Sequence, residues 1–425
     1  MLNIVLSGTL ASAFDPVAAT NEYLAKIPPE AMAKSIAYND GEHWLTLGTF
    51  VFTTAIYLVL LVSGLSARMS QFAECVVGAR TSDGVSTGRR VWLAPMIYMA
   101  LFVLLNTVIQ LPLSIYTGYF REHGYGMSNQ TFFEWFTDEA KGFAIGLVVA
   151  SLGAILLYAV LRRVGRSWWI WTSALLIGFS ALGAMIAPVY LAPLFNTYKS
   201  LPESELRSQL LSLARANQIP ADDIYVFDAS RQTKRVSANV SGLFGTTRIS
   251  LNDNLLNRCS PAAVRAVMAH EMGHYVLNHS LKGLTQRALV IAVGLGLVAW
   301  AFERVAKKFG TTWGIRTADE PARGAFGVAD PAALPLLLLL LGSYGLVTMP
   351  LGNTLTRTAE IEADAFGVNA AREPDGMAEA LLTLVEYRNP KPGKWEEIIF
   401  FDHPSGYNRI LAAMTWKAEH LPPNQ

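Results

Sequence analysis

The sequence predicts a mostly α-helical integral membrane protein, with about six bilayer-spanning helices and an α+β soluble domain split by a membrane hairpin. Three observations predict it. Of 425 residues, 52% are hydrophobic and only 16% are charged, whereas a soluble domain carries about 25% charged residues. Six segments approach the roughly 20 apolar residues that a bilayer core demands. Two polar stretches, Asn196 to Lys282 and Thr356 to Gln425, are separated by an even number of crossings, so both emerge on one side and can fold together.

The spans are expected at Trp44 to Leu65, Val91 to Tyr116, Phe143 to Leu161, Trp168 to Phe195, Ala288 to Phe302 (extending back toward Leu281) and Pro331 to Leu355. This divides the chain into an N-terminal membrane region with four spans (1–195), a first soluble part (196–282), a membrane hairpin (283–355) and a second soluble part (356–425). Ahead of the first span, Met1 to Phe14 is mildly apolar without a basic start. It reads as a loose or interfacial N-terminus, with a signal peptide ending near Ala11-Ser12-Ala13 as the alternative. Asn106 and Gln110 share one face of the second span. A helix–helix hydrogen bond is the expected use of that pair, and lining a pore is the other.

In the first soluble part, Glu203 to Asn217 reads as an amphipathic helix and Asp223 to Phe227 as a short strand. Arg235 to Val240 and Thr247 to Leu251 read as a hairpin turning through Gly242 to Gly245. Ser260 is a good N-cap and Pro261 suits the first helical position, so a helix should run from Pro261 past His274. The net charge of +1 offers no attraction for nucleic acid. Two cysteines, Cys75 and Cys259, are too few for a disulfide framework or a cysteine zinc site.

The chemistry sits on that last helix. His270 and His274 are four residues apart, project from one face and can hold one metal ion. Glu271, beside the first ligand, can take a proton from a water that zinc has acidified. A catalytic zinc usually keeps three protein ligands and an open position. The third is sought in Arg357 to Asp364, where Glu360 and Asp364 share a face. One carboxylate could bind the metal while the other orients a histidine, or both could lie on a solvated acidic face. Glu362 should point away to the surface. His279 reads as a cap or surface residue. His403, in a loop, could donate to a developing oxyanion or be structural.

The chain resembles the type I CaaX prenyl endopeptidases, the integral-membrane zinc metalloproteases that include the yeast a-factor-converting enzyme. The resemblance rests on four segments: His270-Glu271-Met272-Gly273-His274-Tyr275 with Asn278-His279, Glu360 to Phe366, Pro188 to Asn196, and Ser237 to Gly242 before Arg248-Ile249. It implies helices around a large chamber, a zincin-like catalytic domain, one Zn2+ per chain, Glu360 as third ligand and Asp364 behind the ligands. It also implies substrate laid along the edge strand at Ala238, Asn239 and Val240, and His403 and Arg409 stabilising the reacting carbonyl. The chain departs from the family in having six expected spans instead of seven, and in Asp402, where a small hydroxyl residue is common.

The expected activity is peptide hydrolysis in a membrane, on a peptide or protein substrate that is lipidated if the family's habit holds. A membrane peptidase without prenyl specificity and a zinc-stabilised scaffold without catalysis are the alternatives. Orientation is open. Basic residues such as Arg68, Arg80, Arg89, Arg162, Arg163, Lys307, Lys308 and Arg323 place the loops opposite the catalytic part in the cytoplasm, while the resemblance implies a cytosolic site.

Overall fold

In hydrocarbon a chain must satisfy its own backbone polar groups, and helices do this within one segment. The computed structural model describes residues 14–78, 90–241, 247–316 and 327–421. It contains five apolar helical stretches long enough to cross a bilayer: Pro29–Val62, Val91–Tyr125, Phe132–Leu194, His279–Phe309 and Pro331–Ala371. The third, of 63 residues, breaks at Gly165, whose φ of +56° suits a residue without a Cβ. Its two arms pack on one another. The six expected spans are helical over most of their length; the first overruns its helix at Val62 into the left-handed Gly64, and the fourth overruns its own at Leu194 by one residue. The helices are α1 (Pro16–Ala25), α2 (Pro29–Val62), α3 (Leu65–Val76), α4 (Ala94–Ile115), α5 (Glu122–Tyr125), α6 (Phe132–Val164), α7 (Trp168–Ile186), α8 (Glu205–Ala216), α9 (Asp253–Arg258), α10 (Pro261–Val276), α11 (His279–Phe309), α12 (Leu334–Ala371), α13 (Pro374–Thr383), α14 (Lys394–Phe400) and α15 (Gly406–His420).

Two helices are longer than the hydropathy suggests. α2 begins at Pro29, because its first turns are polar and lie before the apolar run. α12 continues without a break for 38 residues, past the end of the sixth span, and carries Glu360 and Asp364 on the same rod as the leucine run. Outward residues such as Trp44, Leu289 and Val347 are apolar and exposed, as faces turned to lipid should be. Ile56, Leu60, Tyr98, Phe102, Tyr158, Trp168, Leu295 and Leu337 form the core between the apolar helices. On the far side of the bundle, Arg316 is held by Glu74 at 2.6 Å and by Asp330 at 3.1 Å.

The Asn106 expectation is corrected. Its Nδ2 donates to Phe102 O on its own helix at 2.9 Å. With Gln110 it lines a cavity of about 1100 Å³ enclosed by α4, α6 and the 127–130 segment. The hydrogen bond within the helix occupies the Nδ2 side of the amide, while Oδ1 is buried without a hydrogen-bond partner.

The small sheet has strands β1 (Tyr198–Ser200), β2 (Ile224–Phe227), β3 (Ala238–Ser241) and β4 (Arg248–Asn252) in the order β1-β2-β4-β3. β2 and β4 are parallel, and the outer pairs are antiparallel. β3 is thus an edge strand. The expected turn at Gly242 to Gly245 and the segment Met1 to Ala13 lie outside the described residues, as do Arg80, Arg89 and Arg323. Leu210, Ile224, Ile249, Leu251, Val264, Met268 and Met272 pack the sheet against α8 and α10. Elsewhere α1 lies against α13 and α15, with Phe14, Ala19, Tyr23 and Leu24 on their apolar faces.

Candidate metal centre

α10 starts where the sequence says. Ser260 Oγ accepts the Ala263 N–H at 3.2 Å and Pro261 fills the first position. Glu379 of α13 accepts from the Ser260 N–H and hydroxyl, fixing the helix start against its neighbour. One face of α10 is committed to the sheet through Val264, Met268 and Met272, which turns His270 and His274 toward α12.

α12 can approach closely because both helices carry glycine at the crossing. A Cβ at Gly367 would stand 2.9 Å from His270 N, and one at Gly273 would stand 3.0 Å from the Phe366 ring. Small residues let helix backbones come together. The approach brings Glu360 to the histidines. His270 Nε2 and His274 Nε2 are 3.1 Å apart. Glu360 oxygens lie 3.3 Å from the first and 3.4 Å from the second. Glu360 Oε2 is buried with no hydrogen-bond partner, a costly state for a carboxylate oxygen that a bound cation would relieve. One ligand-type atom each from His270, His274 and Glu360 lies within 4.8 Å of the other two.

Around this cluster sits a shell of charge. Asp364, also buried, puts Oδ1 2.8 Å from His270 Nδ1. Arg409 from α15 grips the same carboxylate with a two-pronged contact, Nε to Oδ2 at 2.7 Å and Nη2 to Oδ1 at 2.6 Å. Its fork is therefore spent on Asp364, and its nearest approach to Glu360 is 4.0 Å. Arg409→Ala leaves that carboxylate buried and uncompensated, at an expected cost of about 3–5 kcal/mol. A fall in the thermal midpoint of the detergent-solubilised protein checks it, with Arg409→Lys falling less.

Glu271 is half-buried and lines a cavity of about 240 Å³ with Val236, Ala238, His270, Glu360, Tyr387 and His403. Burial pushes its carboxyl above the usual carboxylate range, against the pull of the two imidazoles. His403 places Nε2 3.2 Å from Glu360 Oε2, and its Nδ1 is 2.7 Å from Asp402 Oδ1. The unusual Asp402 is thus the residue that holds the ring. Of the edge-strand residues, the structure brings Ala238 into this cavity. Asn239 lines another, with Tyr198 and Arg248, because successive strand residues face opposite ways. Val240 packs against the sheet core.

Sequence reasoning missed one group. His279 is buried, not a surface cap. Its Nδ1 is 2.9 Å from His274 Nδ1, and its Nε2 is 3.0 Å from Glu362 Oε2. Glu362 is exposed as expected, yet it is held by both His279 and Lys282. With Nε2 of His274 turned to the cluster, its Nδ1–H donates to His279, whose Nε2–H donates to Glu362. The turn that brings His279 back is Asn278, at φ +56°; an asparagine is among the few residues that take this conformation readily, and that was the available signal. Such partners of a metal-ligating histidine fix its tautomer and orientation. His279→Ala is expected to weaken metal binding by about 10–100-fold, measured by competition with a chelator of known affinity.

Comparison with known proteins follows the same geometry. Residues 200–417 match peptidase family M48. Residues 17–197 match a region described as CAAX prenyl protease N-terminal, five membrane helices; in that range, among the described residues, four helices (α2, α4, α6 and α7) are long and apolar. An uncharacterized metalloprotease of Bacillus subtilis, YhfN, is 28% identical over 93% of this chain and 88% of its own length. CAAX prenyl protease 1 of Saccharomyces cerevisiae is 28% identical over 68% of this chain and 64% of its own. The crystal structure of S. mikatae Ste24p superposes with a TM-score of 0.74 at 21% identity, covering 94% of this chain and 95% of that one. The shared fold is thus one of membrane helices around a chamber.

Proposed function

Because this chain belongs to peptidase family M48 and is an integral-membrane metalloendopeptidase, we propose that His270, His274 and Glu360 hold a single zinc ion and that Glu271 is the general base. The observation that carries this reading is the convergence of three ligand residues: His270 Nε2 and His274 Nε2 lie 3.1 Å apart, with Glu360 Oε2 3.3 Å from the first and Glu360 Oε1 3.4 Å from the second. Ligands about 2.0–2.2 Å from a tetrahedral zinc are separated by roughly 3.3–3.6 Å. Three protein donors also fit a catalytic site better than a structural one, which normally closes with four. That weighs against a zinc-stabilised scaffold.

A zinc ion held there lowers the pKa of a water toward about 7 and polarises a peptide carbonyl. The chain's own residues do the rest. Glu271 accepts the proton of the attacking water and returns it to the leaving amine. Asp364 keeps His270 presenting Nε2 to the cluster, and the chain from His279 does the same for His274. His403 Nε2 faces the cavity and donates to the carbonyl oxygen as charge develops there. The free edge of β3 offers backbone groups to an extended substrate, with Ala238 nearest the chemistry and Asn239 and Val240 continuing the strand.

The substrate we propose is a peptide carrying a prenyl lipid near its C-terminus. The support is the naming of relatives as CAAX prenyl proteases, together with a cavity of about 1100 Å³ whose wall mixes Phe102, Leu111, Phe143 and Leu147 with polar groups. Matched peptides with and without a farnesyl group should differ, the lipidated one being cleaved with the higher kcat/KM. Equal cleavage would identify a peptidase of membrane-associated peptides without prenyl specificity.

A further inference from the structure

A second set of metal-type ligands lies away from the catalytic cluster, between α2 and α14. Asp40 and His43 are three residues apart on α2 and share a face. Glu396 comes from α14, far away in sequence. One ligand atom from each lies within 4.8 Å of the others. His43 Nδ1 and Glu396 Oε1 are 3.9 Å apart, too far for a hydrogen bond.

Two of the three parts are held in place by other contacts, while Asp40 is exposed at the rim of the site. The His43 ring stacks on Phe400, centroids 4.2 Å apart and planes 22° from parallel, and meets Phe401 edge-on. Glu396 Oε2 accepts the Gly393 N–H at 3.0 Å, which caps α14. Its Oε1 is closed off from solvent and has no hydrogen-bond partner. Among the described residues, no lysine or arginine pairs with Asp40 or Glu396. Two carboxylates and a neutral imidazole carry two negative charges, which a divalent ion neutralises. A carboxylate oxygen buried without a partner costs free energy until something of opposite charge reaches it.

We propose that Asp40, His43 and Glu396 bind a second divalent cation of the zinc or manganese class, separate from the catalytic ion. Mixed imidazole and carboxylate donors suit these ions. The site spans from a membrane helix to the short helix that leads into the His403 loop. Ser405 N donates to Glu397 Oε1 at 2.9 Å, tying the end of that loop back to α14. A cavity of about 270 Å³ between α2 and the loop is lined by His43, Phe400, Phe401, His403 and Arg409. An ion bound here braces α14 against α2 and steadies the wall that carries His403.

The test is the metal content of the full chain in detergent, equilibrated against chelator-buffered Zn2+ and measured by mass spectrometry. The wild type should hold two ions per chain. Asp40→Asn, His43→Ala and Glu396→Gln should each hold one. Glu396→Gln keeps a carbonyl to cap α14, so its loss of an ion reports ligation and not unfolding. Saturating Zn2+ should raise the thermal midpoint of Glu360→Ala, where the catalytic ligand set is broken, and should fail to raise that of Glu360→Ala combined with Glu396→Gln. A single ion in the wild type, or a second ion that survives both His43→Ala and Glu396→Gln, overturns the proposal.

Discussion

Glu271→Gln is expected to keep its metal and to lose peptide hydrolysis by about 10²–10⁴-fold, the usual contribution of a positioned general base. The change keeps the shape of the side chain and removes only its ability to take a proton. The donor triangle of His270, His274 and Glu360 does not include Glu271, so the ion should stay. The carboxylate lines the reaction cavity with Ala238 on the substrate side and the imidazoles on the other. Its placement in a half-buried wall raises its proton affinity, which suits a group that must accept a proton and then give it up. Metal content and cleavage must be measured on the same preparation. Full cleavage by the glutamine variant would remove Glu271 from the mechanism.

Glu360→Ala is expected to empty the His270/His274 site of zinc and, with it, to abolish activity, leaving only the ion assigned to Asp40, His43 and Glu396. Two histidines on one helix turn leave half of a four-coordinate site to others, and α12 supplies the nearest remaining donor. The same substitution removes a buried carboxylate lying 3.3 Å and 3.4 Å from the two imidazoles. The change removes no apolar core side chain, so the variant should remain soluble in detergent with its helices intact. Circular dichroism checks the fold and mass spectrometry checks the ion. Purified Glu360→Ala combined with Glu396→Gln that still carries one zinc per chain would mean that the third ligand is another residue, with Asp364 the first to examine.

The bilayer helices were legible because lipid demands long apolar runs, and all six are helical over most of their length. The ends were not. The opening of α2, Pro29 to His43, is polar and helical, so hydropathy has nothing to mark it. The passage from membrane to catalytic region inside α12 leaves no sign either, because the helical period simply continues. The motif residues were readable from spacing alone, since a turn of helix fixes His270 against His274. Glu360 and Asp364 were readable only as a pair on one face. Which of them faces the histidines depends on how close α12 can come, and that is decided by Gly273 and Gly367, whose meaning emerges only in the packed pair. His279 was misread because a helical wheel assumes an unbroken helix, and Asn278 breaks it. At the edge strand the segment was right, but the alternation that separates Ala238 from Asn239 needed a register to resolve it.

The unbroken course of α12 makes the catalytic centre sensitive to its solvent in an unusual sense. At about 1.5 Å per residue, its 38 residues form a single lever reaching from hydrocarbon to Glu360 and Asp364. Hydrophobic mismatch makes such a helix tilt or bend to suit the thickness of the surrounding membrane. Pro350, inside the helix, removes one backbone hydrogen bond at mid-length and sets the joint at which the lever yields. Beyond that joint the glycine contacts with α10 clamp the working end. A change of membrane thickness would therefore reach Glu360 and Asp364 only through the flexible point at Pro350 and the glycine-packed crossing with α10.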